Sequence, residues 1–488
     1  MELSFHVENF GCRAARADGE AVANRLRAAG MAEGRPALAD VVVVNTCSVT
    51  AEADRAARAF IRRAHRLNPE ARIVATGCYA QRAPAELAAL PGVAAVVGNS
   101  HKALAPEIAR HLAGPEARSG APALPPSMVS LQSLLASASP ALVLADDRFA
   151  HSFLEEAQLS PGTQTRPNLK IQEGCGNRCS FCVIPQTRGS SRSLPVATVL
   201  RQVEGFVTAG GKELVLSGIN LGRWGRDLEP SAQAPRPSLP WLVRQILEKT
   251  ALPRLRLSSI EPMDWDAELI ALMAEFGGTD SGSPATGLRR RGGRLARHAH
   301  LPLQSGSDAV LRRMHRRYRP WHYQEKVAAL FRAAGPELTL GADVMVGFPG
   351  ETDLEFEETL QLVRALPFGY LHLFPFSPRP ATQAWALHAA QPVPPAVVDE
   401  RMAALRALAA EKSETHRTRF LGREVDALTL HTPHPLASLG RTSAMTENFL
   451  PLELATLLPA NRQLRVRVTG FTAEGALVAT GAPSIATQ

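Results

Sequence analysis

The sequence predicts an α/β protein with three domains, and three features of the chain support that prediction. Strand and helix patterns alternate over residues 1–115, which indicates an N-terminal parallel α/β domain. A β–α unit then repeats six times over 166–418, as expected for a partial (β/α)6 barrel. Short alternating strands without a long helical pattern follow over 419–484, so a small C-terminal β-barrel is expected there.

The N-terminal domain carries three cysteines at equivalent places. Cys12, Cys47 and Cys78 each follow a predicted strand directly. Since the carboxyl ends of parallel strands share one edge of a sheet, we expect the three thiols to converge there. Convergent thiolates favour a metal site. The alternative is three unrelated buried cysteines, because free cysteine is among the most buried residue types.

Residues 116–165 differ in composition from the domains on either side. The segment is rich in Ala, Pro and Ser, which is typical of a linker and not of a packed domain. A short helix is predicted within it at 131–136. We therefore expect this stretch to connect the two α/β domains.

The predicted barrel strands set the position of the candidate site. Active sites of parallel βα barrels lie at the carboxyl ends of the strands. Polar residues and glycines follow several of these strands, and the alternative for each of them is an ordinary strand-ending loop. The strands are predicted at 169–172, 213–216, 254–259, 299–303, 339–346 and 370–374.

Three further cysteines follow the first barrel strand at the spacing C-x3-C-x2-C. Three thiolates on so short a loop, Cys175, Cys179 and Cys182, can hold three corners of a cubane iron–sulfur cluster and leave one iron open to a small molecule. Structural zinc normally takes four ligands, and a disulfide needs an oxidising compartment. Zinc and a disulfide stay open as alternatives, but the spacing favours the cluster.

Composition and charge narrow the class of protein. The chain has 488 residues, of which 45% are hydrophobic and 20% charged, as in ordinary globular proteins. It contains no long uncharged apolar run and no signal-peptide pattern, so we expect a cytoplasmic protein that does not span a membrane. The net charge of +8 permits binding to a polyanion such as RNA, although a solvated basic face would give the same charge.

Two arginine-rich segments are candidate RNA contacts. The run at 312–319 follows the predicted active-site loop at Gln304, and both substrate contact and a solvated face are open interpretations. The insertion at 277–294 contains three consecutive arginines at 289–291, and its composition favours a flexible solvated loop.

These motifs resemble the radical-SAM methylthiotransferases, which use S-adenosylmethionine (SAM). The C-x3-C-x2-C loop is similar to the cluster loop of radical-SAM enzymes, and the stretches NTCSVT at 45–50 and GCYAQ at 77–81 are similar to the N-terminal domain of the methylthiotransferases. The resemblance covers nearly the whole chain. It departs at Ala15, because the family usually has asparagine three residues after the first cysteine.

The resemblance implies two [4Fe–4S] clusters and SAM as cofactors. One cluster lies on the C-x3-C-x2-C loop, where its open iron binds SAM and reductive cleavage gives a 5′-deoxyadenosyl radical. The auxiliary cluster is ligated by Cys12, Cys47 and Cys78. By the same resemblance, the expected cofactor-binding residues are Glu213, Ser217, Gly218, Ser259, Glu261, Gln304 and Asp343.

The activity implied by the resemblance is transfer of a methylthio group to C2 of the adenosine at position 37 of tRNA, in the anticodon loop. That carbon has no acidic proton, which is why a radical is needed. The stretch LSGINLG at 216–222 is similar to the branch that acts on N6-threonylcarbamoyladenosine, whereas the N6-isopentenyladenosine branch tends to have Gly-Gln-Asn-Val there. Arg188, Arg223 and Arg379 are candidate cations for the anionic threonylcarbamoyl group.

The resemblance also implies partners. They are tRNA and an electron donor such as flavodoxin or ferredoxin, with no membrane. The C-terminal strands resemble a TRAM domain, a small β-barrel that binds tRNA in many relatives. Two other functions stay open: methylthiolation of a ribosomal protein aspartate, and a non-catalytic RNA-binding protein stabilised by metal. Reductive cleavage of SAM separates an enzyme from the binding protein.

Overall fold

The protein is described here from a computed structural model. The residues described are 3–114, 141–149, 153, 159, 161, 164–230, 237–278, 293–479 and 484–485.

The chain forms two compact units, which are described separately. The first unit comprises Met1–Leu159, Glu173–Asn177 and Cys182–Arg192. The second comprises Ser160–Gln172, Arg178–Phe181 and Ser193–Gln488. The second unit contains both the predicted (β/α) barrel and the C-terminal strands that follow the predicted boundary at 419.

The first unit contains a six-stranded sheet. Its strands are β1 (Ser4–Asn9), β2 (Ala32–Glu33), β3 (Val41–Thr46), β4 (Arg72–Gly77), β5 (Val93–Gly98) and β6 (Leu142–Leu144). The order is β2–β1–β3–β4–β5–β6, and every neighbouring pair is parallel. The helices of this unit are α1 (Arg13–Ala28), α2 (Ala51–Leu67), α3 (Cys78–Arg82), α4 (Pro84–Ala88), α5 (Ala105–Ala113) and α6 (Ile184–Arg188), with a 3-10 turn at Lys102–Leu104.

The valine run of β3 explains why this sheet has helices on both faces. Val41 and Val43 belong to the hydrophobic core that includes α1 and α5, whereas Val42 and Val44 belong to the core that includes α2. A strand that is buried on both faces reads as a continuous apolar run, and all six residues of β3 are buried. The predicted parallel α/β domain is therefore confirmed.

Strand β6 corrects the prediction of a linker at 116–165. Leu142 pairs in parallel with Ala95 of β5, so this part of the segment extends the sheet of the first unit. Its apolar sequence, LVL, lies within a segment rich in Ala, Pro and Ser, so the composition of that segment did not indicate a strand. The predicted helix at 131–136 lies outside the described residues.

The second unit contains six parallel strands that match the six predicted ones. They are β7 (Asn168–Glu173), β9 (Glu213–Gly218), β10 (Arg254–Leu257), β11 (His298–His300), β12 (Thr339–Val346) and β13 (Phe368–Pro375), and the short β8 (Arg192–Ser193) extends the sheet beside β7. The strands form a four-stranded sheet, β10–β9–β7–β8, and a three-stranded sheet, β11–β12–β13, and a parallel bridge between Ser259 and His300 connects the two. This is the expected partial (β/α)6 barrel.

Helices follow the barrel strands, as the β–α repeat predicts. They are α7 (Val196–Thr208), α8 (Leu239–Lys249), α9 (Ala267–Phe276), α10 (Asp308–Arg313), α11 (Pro320–Ala334), α12 (Asp353–Ala365), α13 (Gln383–Ala390) and α14 (Pro395–Thr418), with 3-10 turns at Leu221–Arg223 and Pro262–Asp264. Most of the predicted insertion at 277–294, including its three arginines, lies outside the described residues.

The C-terminal strands close into a five-stranded β-barrel. The strands are β14 (Glu424–Thr429), β15 (Thr442–Thr446), β16 (Pro451–Leu454), β17 (Gln463–Phe471) and β18 (Leu477–Ala479), with β19 (Ser484–Ile485) added to β17 and helix α15 (His434–Ala437) between β14 and β15. Pairing runs β14–β15–β16–β18–β17 and returns to β14, which confirms the predicted small barrel. Among the described residues, every helix is too short or too polar to cross a membrane.

Candidate active site

The three cysteines of the first unit lie at one edge of its sheet. Cys12 caps the start of α1 after β1, Cys47 follows β3, and Cys78 begins α3 directly after β4. Because β1, β3 and β4 are parallel neighbours, the three residues follow the same ends of adjacent strands. Cys47 and Cys78 are buried, and Cys12 is exposed.

Gly11 allows the loop that carries Cys12 to approach Cys47. Its φ is +106°, and a Cβ added there would lie 2.5 Å from Cys47 Sγ. Any side chain at this position would therefore collide with the thiol, and the backbone conformation itself favours glycine.

The electrostatics of this cysteine set match a site for a positively charged group. Burial, together with Cys78 and Cys12, raises the pKa of Cys47 to about 12. Removing the protons from three neighbouring thiols is costly unless a cation compensates the charge, and a metal cluster does this. The thiol donor set thus fits an iron–sulfur cluster.

Two nitrogen donors point at the sulfur of Cys78. The Nε–H of Arg188 donates to Cys78 Sγ at 3.2 Å, and the Nδ2–H of Asn99 donates to the same atom at 3.4 Å. Asn99 is held in place because it also donates to the carbonyl of Thr187 at 2.9 Å. Hydrogen bonds to a ligating sulfur are one of the means by which a protein tunes a cluster.

Arg188 belongs to a buried network of four charged side chains. Its Nη1 contacts Asp18 at 3.0 Å and Glu173 at 2.8 Å, and Lys102 Nζ contacts the same two carboxylates at 2.9 and 2.8 Å. Burial alone would lower the pKa of Arg188, but Cys78, Glu173 and Asp18 raise it well above its usual value. Two cations thus balance two carboxylates beside the cysteines.

The C-x3-C-x2-C loop begins and ends close to this network. Glu173 lies two residues before Cys175, and Arg188 closes the short helix α6 that follows Cys182. The Cys175 N–H donates to the Gly189 carbonyl at 3.0 Å. In the first unit, the buried charges therefore hold the ends of this loop and contact Cys78.

Each sulfur of the loop accepts a hydrogen bond. The N–H groups of Asn177 and Ile184 donate to Cys175 Sγ and Cys182 Sγ, both at 3.4 Å. In the second unit, Arg316 Nη1 donates to Cys179 Sγ at 3.4 Å. All three cysteines are partly exposed, and these donors stabilise thiolates, so the residues fit a cluster with access for a small molecule.

Arg316 also positions one of the expected cofactor-binding residues. Its Nη2 donates to both carboxylate oxygens of Glu261, at 2.8 and 2.6 Å. Cys179 and Glu261 therefore share one buried arginine. The run at 312–319 was expected to contact substrate or to form a solvated face, and Arg316 is not part of a solvated face, because it is only 7% exposed.

Four other expected cofactor residues lie along the carboxyl edge of the barrel. Ser217 and Gly218 end β9, and Ser259 follows β10 and bridges to His300. Gln304 follows β11, and its N–H donates to the Asp343 carbonyl at 2.8 Å. Gln304 has a φ of +63° and is 7% exposed, so its polar side chain is held at the edge in an uncommon backbone conformation.

Two expected cofactor residues are engaged elsewhere. Glu213 begins β9, at the opposite end of the strand from Gly218, and contacts Arg256, Arg166 and Arg254 at 2.7, 3.3 and 3.5 Å. Burial alone would raise the pKa of Glu213, but these arginines lower it to about 2. Asp343 Oδ1 contacts His300 and His372, each at 3.2 Å.

Comparison with known proteins places these features in a family. Residues 4–98 match the family described as "Uncharacterized protein family UPF0004", and residues 169–363 match the radical SAM superfamily. Threonylcarbamoyladenosine tRNA methylthiotransferase MtaB of Aquifex aeolicus is 31% identical over 96% of this chain and 100% of that protein. The MtaB of Bacillus subtilis is 34% identical over 86% of this chain and 82% of that protein.

The chain belongs to the radical-SAM methylthiotransferase family. A relative of a second kind, the tRNA-2-methylthio-N(6)-dimethylallyladenosine synthase of Erythrobacter litoralis, is 32% identical over 90% of this chain and 89% of that protein. As a radical-SAM methylthiotransferase, the protein is an enzyme that uses SAM and a [4Fe–4S] cluster. The predicted family and enzyme class are thus confirmed.

A solved structure supports the fold of this methylthiotransferase. The radical SAM methyltransferase TsrM of Kitasatospora setae, solved with cobalamin and a [4Fe–4S] cluster, matches with a TM-score of 0.50. The match covers 79% of this chain and 77% of that chain at 16% identity, so it bears on the fold alone.

Sequence reasoning missed the buried charges of this methylthiotransferase. Arg188 was a candidate for binding substrate, but it is fully buried against Asp18 and Glu173. Arg223, another candidate, pairs with Asp264 at 3.1 Å, and Arg379 is 4% exposed. The partners of Arg188 lie as far as 170 positions away in sequence, so no local pattern marks them.

Proposed function

We propose that this tRNA methylthiotransferase transfers a methylthio group to C2 of N6-threonylcarbamoyladenosine at position 37. The observation that carries the proposal is the relative from Aquifex aeolicus, whose name states this modified adenosine and which aligns over 96% of this chain. The stretch LSGINLG at 216–222 supports the same branch. The second candidate substrate is N6-isopentenyladenosine, which the 32% identity to the dimethylallyladenosine synthase favours.

The three loop cysteines are proposed to hold the cluster that binds SAM. A [4Fe–4S] cluster bound by Cys175, Cys179 and Cys182 would supply the electron for reductive cleavage of SAM. A donor such as flavodoxin or ferredoxin would then return an electron to the cluster. Arg316 keeps Glu261 next to this loop and donates to Cys179 Sγ. Arg316 therefore connects Glu261, a proposed SAM contact, to Cys179 of the cluster loop.

The second cluster of the proposal lies on Cys12, Cys47 and Cys78. The buried thiols, the Arg188 and Asn99 donors and the close approach at Gly11 support this assignment. The cluster is the proposed source of the transferred sulfur. The role of Arg188 there is to neutralise and orient the Cys78 thiolate.

The set of residues that we propose to contact SAM is smaller than the set expected from the sequence. Ser217, Gly218, Ser259, Glu261 and Gln304 are retained because they follow barrel strands at the carboxyl edge. Glu213 and Asp343 are left out, because the first is enclosed by arginines and the second is bonded to two histidines.

The proposal is tested in a bacterial strain that lacks both native tRNA methylthiotransferases. Expression of the protein should produce 2-methylthio-N6-threonylcarbamoyladenosine in digested tRNA, measured by mass spectrometry of nucleosides. Methylthio-isopentenyladenosine, with threonylcarbamoyladenosine left unmodified, would contradict the proposed substrate but not the enzyme class.

Two matched variants separate the proposed clusters in the same experiment. Both Cys175→Ala and Cys47→Ala should abolish the methylthio product in tRNA. With purified protein and a reductant, Cys47→Ala should still release methionine and 5′-deoxyadenosine from SAM, whereas Cys175→Ala should not. If folded Cys47→Ala also loses SAM cleavage, the two cysteine sets do not act separately.

A further inference from the structure

Three side chains on neighbouring barrel strands form a cluster that the proposed reaction does not use. His300 lies on β11, Asp343 on β12 and His372 on β13. One atom of each, an imidazole nitrogen or a carboxylate oxygen, lies within 4.8 Å of the other two. None of the three belongs to the two cysteine sets.

The sheet register brings these side chains together. Asp343 is the direct partner of His372 in the β12–β13 pair, and His300 is the partner of Gly341, two residues before Asp343. Residues two apart on a strand share a face, so the three side chains project from the same face of the sheet. The cluster therefore rests on rigid strands.

Tyr370 orients the His300 ring. The Tyr370 hydroxyl bonds His300 Nδ1 at 3.0 Å and His298 Nε2 at 2.7 Å. It reaches both because Gly341 leaves room for it: a Cβ there would lie 2.1 Å from the Tyr370 ring. A hydroxyl has a single proton, so when it donates to His298 it accepts from His300 Nδ1–H.

In the tautomer in which the Tyr370 hydroxyl donates to His298, His300 Nε2 carries a lone pair. The same Nε2 lies 3.2 Å from the Asp343 carboxylate, and His372 Nδ1 lies 3.2 Å from the same oxygen. In that tautomer, His300 Nε2 and the Asp343 carboxylate are two acceptors that face each other, unless a proton or a metal ion lies between them. His300 is also buried, and its imidazole is oriented in the way that ligating histidines usually are.

We propose that His300, Asp343 and His372 bind one divalent first-row transition ion. Two imidazoles with one carboxylate are a donor set for such ions, and the hydroxyl of Tyr370 supplies the outer hydrogen bond. The His372 side chain is 56% exposed, so the remaining coordination positions face solvent and take water or an anionic oxygen. The ion joins three adjacent strands of the barrel.

The ligand type separates this site from the cysteine sites. Zinc bound here has nitrogen and oxygen neighbours at about 2.0–2.2 Å, whereas zinc misplaced on cysteines has sulfur at about 2.3 Å. X-ray absorption at the zinc edge distinguishes the two without relying on enzyme activity.

The experiment loads the anaerobically reconstituted holoenzyme with Zn²⁺ and removes excess metal by desalting. The expected result is about one zinc per chain beyond the cluster iron, with nitrogen and oxygen neighbours and no sulfur shell. His372→Ala should lose that zinc and keep its iron. His434→Ala, at an exposed histidine of the C-terminal barrel, should keep both.

A second measurement keeps the proposal testable if a variant folds poorly. Zn²⁺ should raise the melting temperature of the wild-type holoenzyme but not that of His372→Ala, because a bound ion stabilises only the protein that binds it. The proposal is overturned if zinc is absent, if its neighbours are sulfur, or if His372→Ala retains it. Absence of zinc would identify the cluster as a protonated hydrogen-bonded triad and would leave the methylthiotransferase assignment intact.

Discussion

Arg188 has a more specific role in the structure than its position in the sequence indicated. It donates to Cys78 Sγ and pairs with Asp18 and Glu173 without exposure to solvent. Lys102 contacts the same two carboxylates. Both cations balance the charge of the carboxylates, and Arg188 in addition donates a hydrogen bond to the cysteine sulfur.

Replacing Arg188 by lysine is expected to lower the midpoint potential of the auxiliary cluster. Lysine keeps a positive charge for Asp18 and Glu173, but it lacks the guanidinium Nε–H that bonds the sulfur. Hydrogen bonds to sulfur favour the more negative, reduced form of a cluster, so removing one disfavours reduction. An EPR-monitored redox titration in a Cys175→Ala background measures this cluster alone.

Lys102→Arg is the matched control for that titration. It preserves both charges of the network and leaves the hydrogen bond to Cys78 unchanged, so its potential should stay at the value of the parent protein. A folded Arg188→Lys protein with the parent potential would assign Arg188 to charge balance alone.

At the level of single elements, α2 carries a basic surface, and the run at 312–319 adds the exposed Arg317, although its other arginines are paired. In that run, Arg312 pairs with Asp308, Arg313 with Glu355 and Arg316 with Glu261. On α2, Arg55, Arg62 and Arg66 are exposed, and in the described part of the chain they have no ion-pair partner. Their spacing of seven and four residues places them on one stripe of the helix.

We expect the α2 stripe to contact tRNA phosphates. Replacing Arg62 and Arg66 with alanine should weaken tRNA binding, because fewer phosphates are then neutralised. The slope of log affinity against log salt should fall by roughly 0.7–0.9 for each phosphate that an arginine no longer neutralises. The slope is measured by titrating labelled tRNA at several salt concentrations.

Charge-preserving variants decide whether that effect is electrostatic. Arg62→Lys and Arg66→Lys should keep the salt slope of the wild type, because lysine retains the charge that displaces counterions. Equal slopes for the alanine and wild-type proteins would identify the stripe as a solvated face.

At the level of the whole molecule, the C-terminal barrel contacts the (β/α) barrel within the second unit through Phe449. Phe449 lies against His298 and Tyr370, with ring centroids 4.6 and 5.7 Å apart. The Arg256 guanidinium lies 5.4 Å from the Phe449 ring and pairs with Glu213. The C-terminal barrel therefore packs against the residues that surround Glu213.

Phe449→Ala is expected to destabilise this unit by about 1–2 kcal/mol, because it removes the ring contacts with His298 and Tyr370 and a cation–π interaction with Arg256. Urea unfolding followed by circular dichroism measures the decrease in the free energy of unfolding. Phe471→Ala removes a phenylalanine from the same small barrel, but that ring is 39% exposed, so its effect should be much smaller. Equal decreases would mean that Phe449 contributes no more than an exposed ring.

The order of elements and the placement of the cysteines could be predicted from the amino-acid sequence. Alternation and apolar runs are local patterns, so β3 and the six barrel strands could be read from single stretches of chain. The equivalent positions of Cys12, Cys47 and Cys78 after their strands then followed from the geometry of parallel sheets.

Which charged and polar side chains are buried in ion pairs could be seen only in the folded chain. Glu213 looked like a cofactor contact, but three arginines enclose it at the start of its strand. Strand β6 and the contacts of Arg188 also depend on partners far away in the chain. Because packing between distant segments determines the burial and pairing of these side chains, a local sequence pattern does not indicate either.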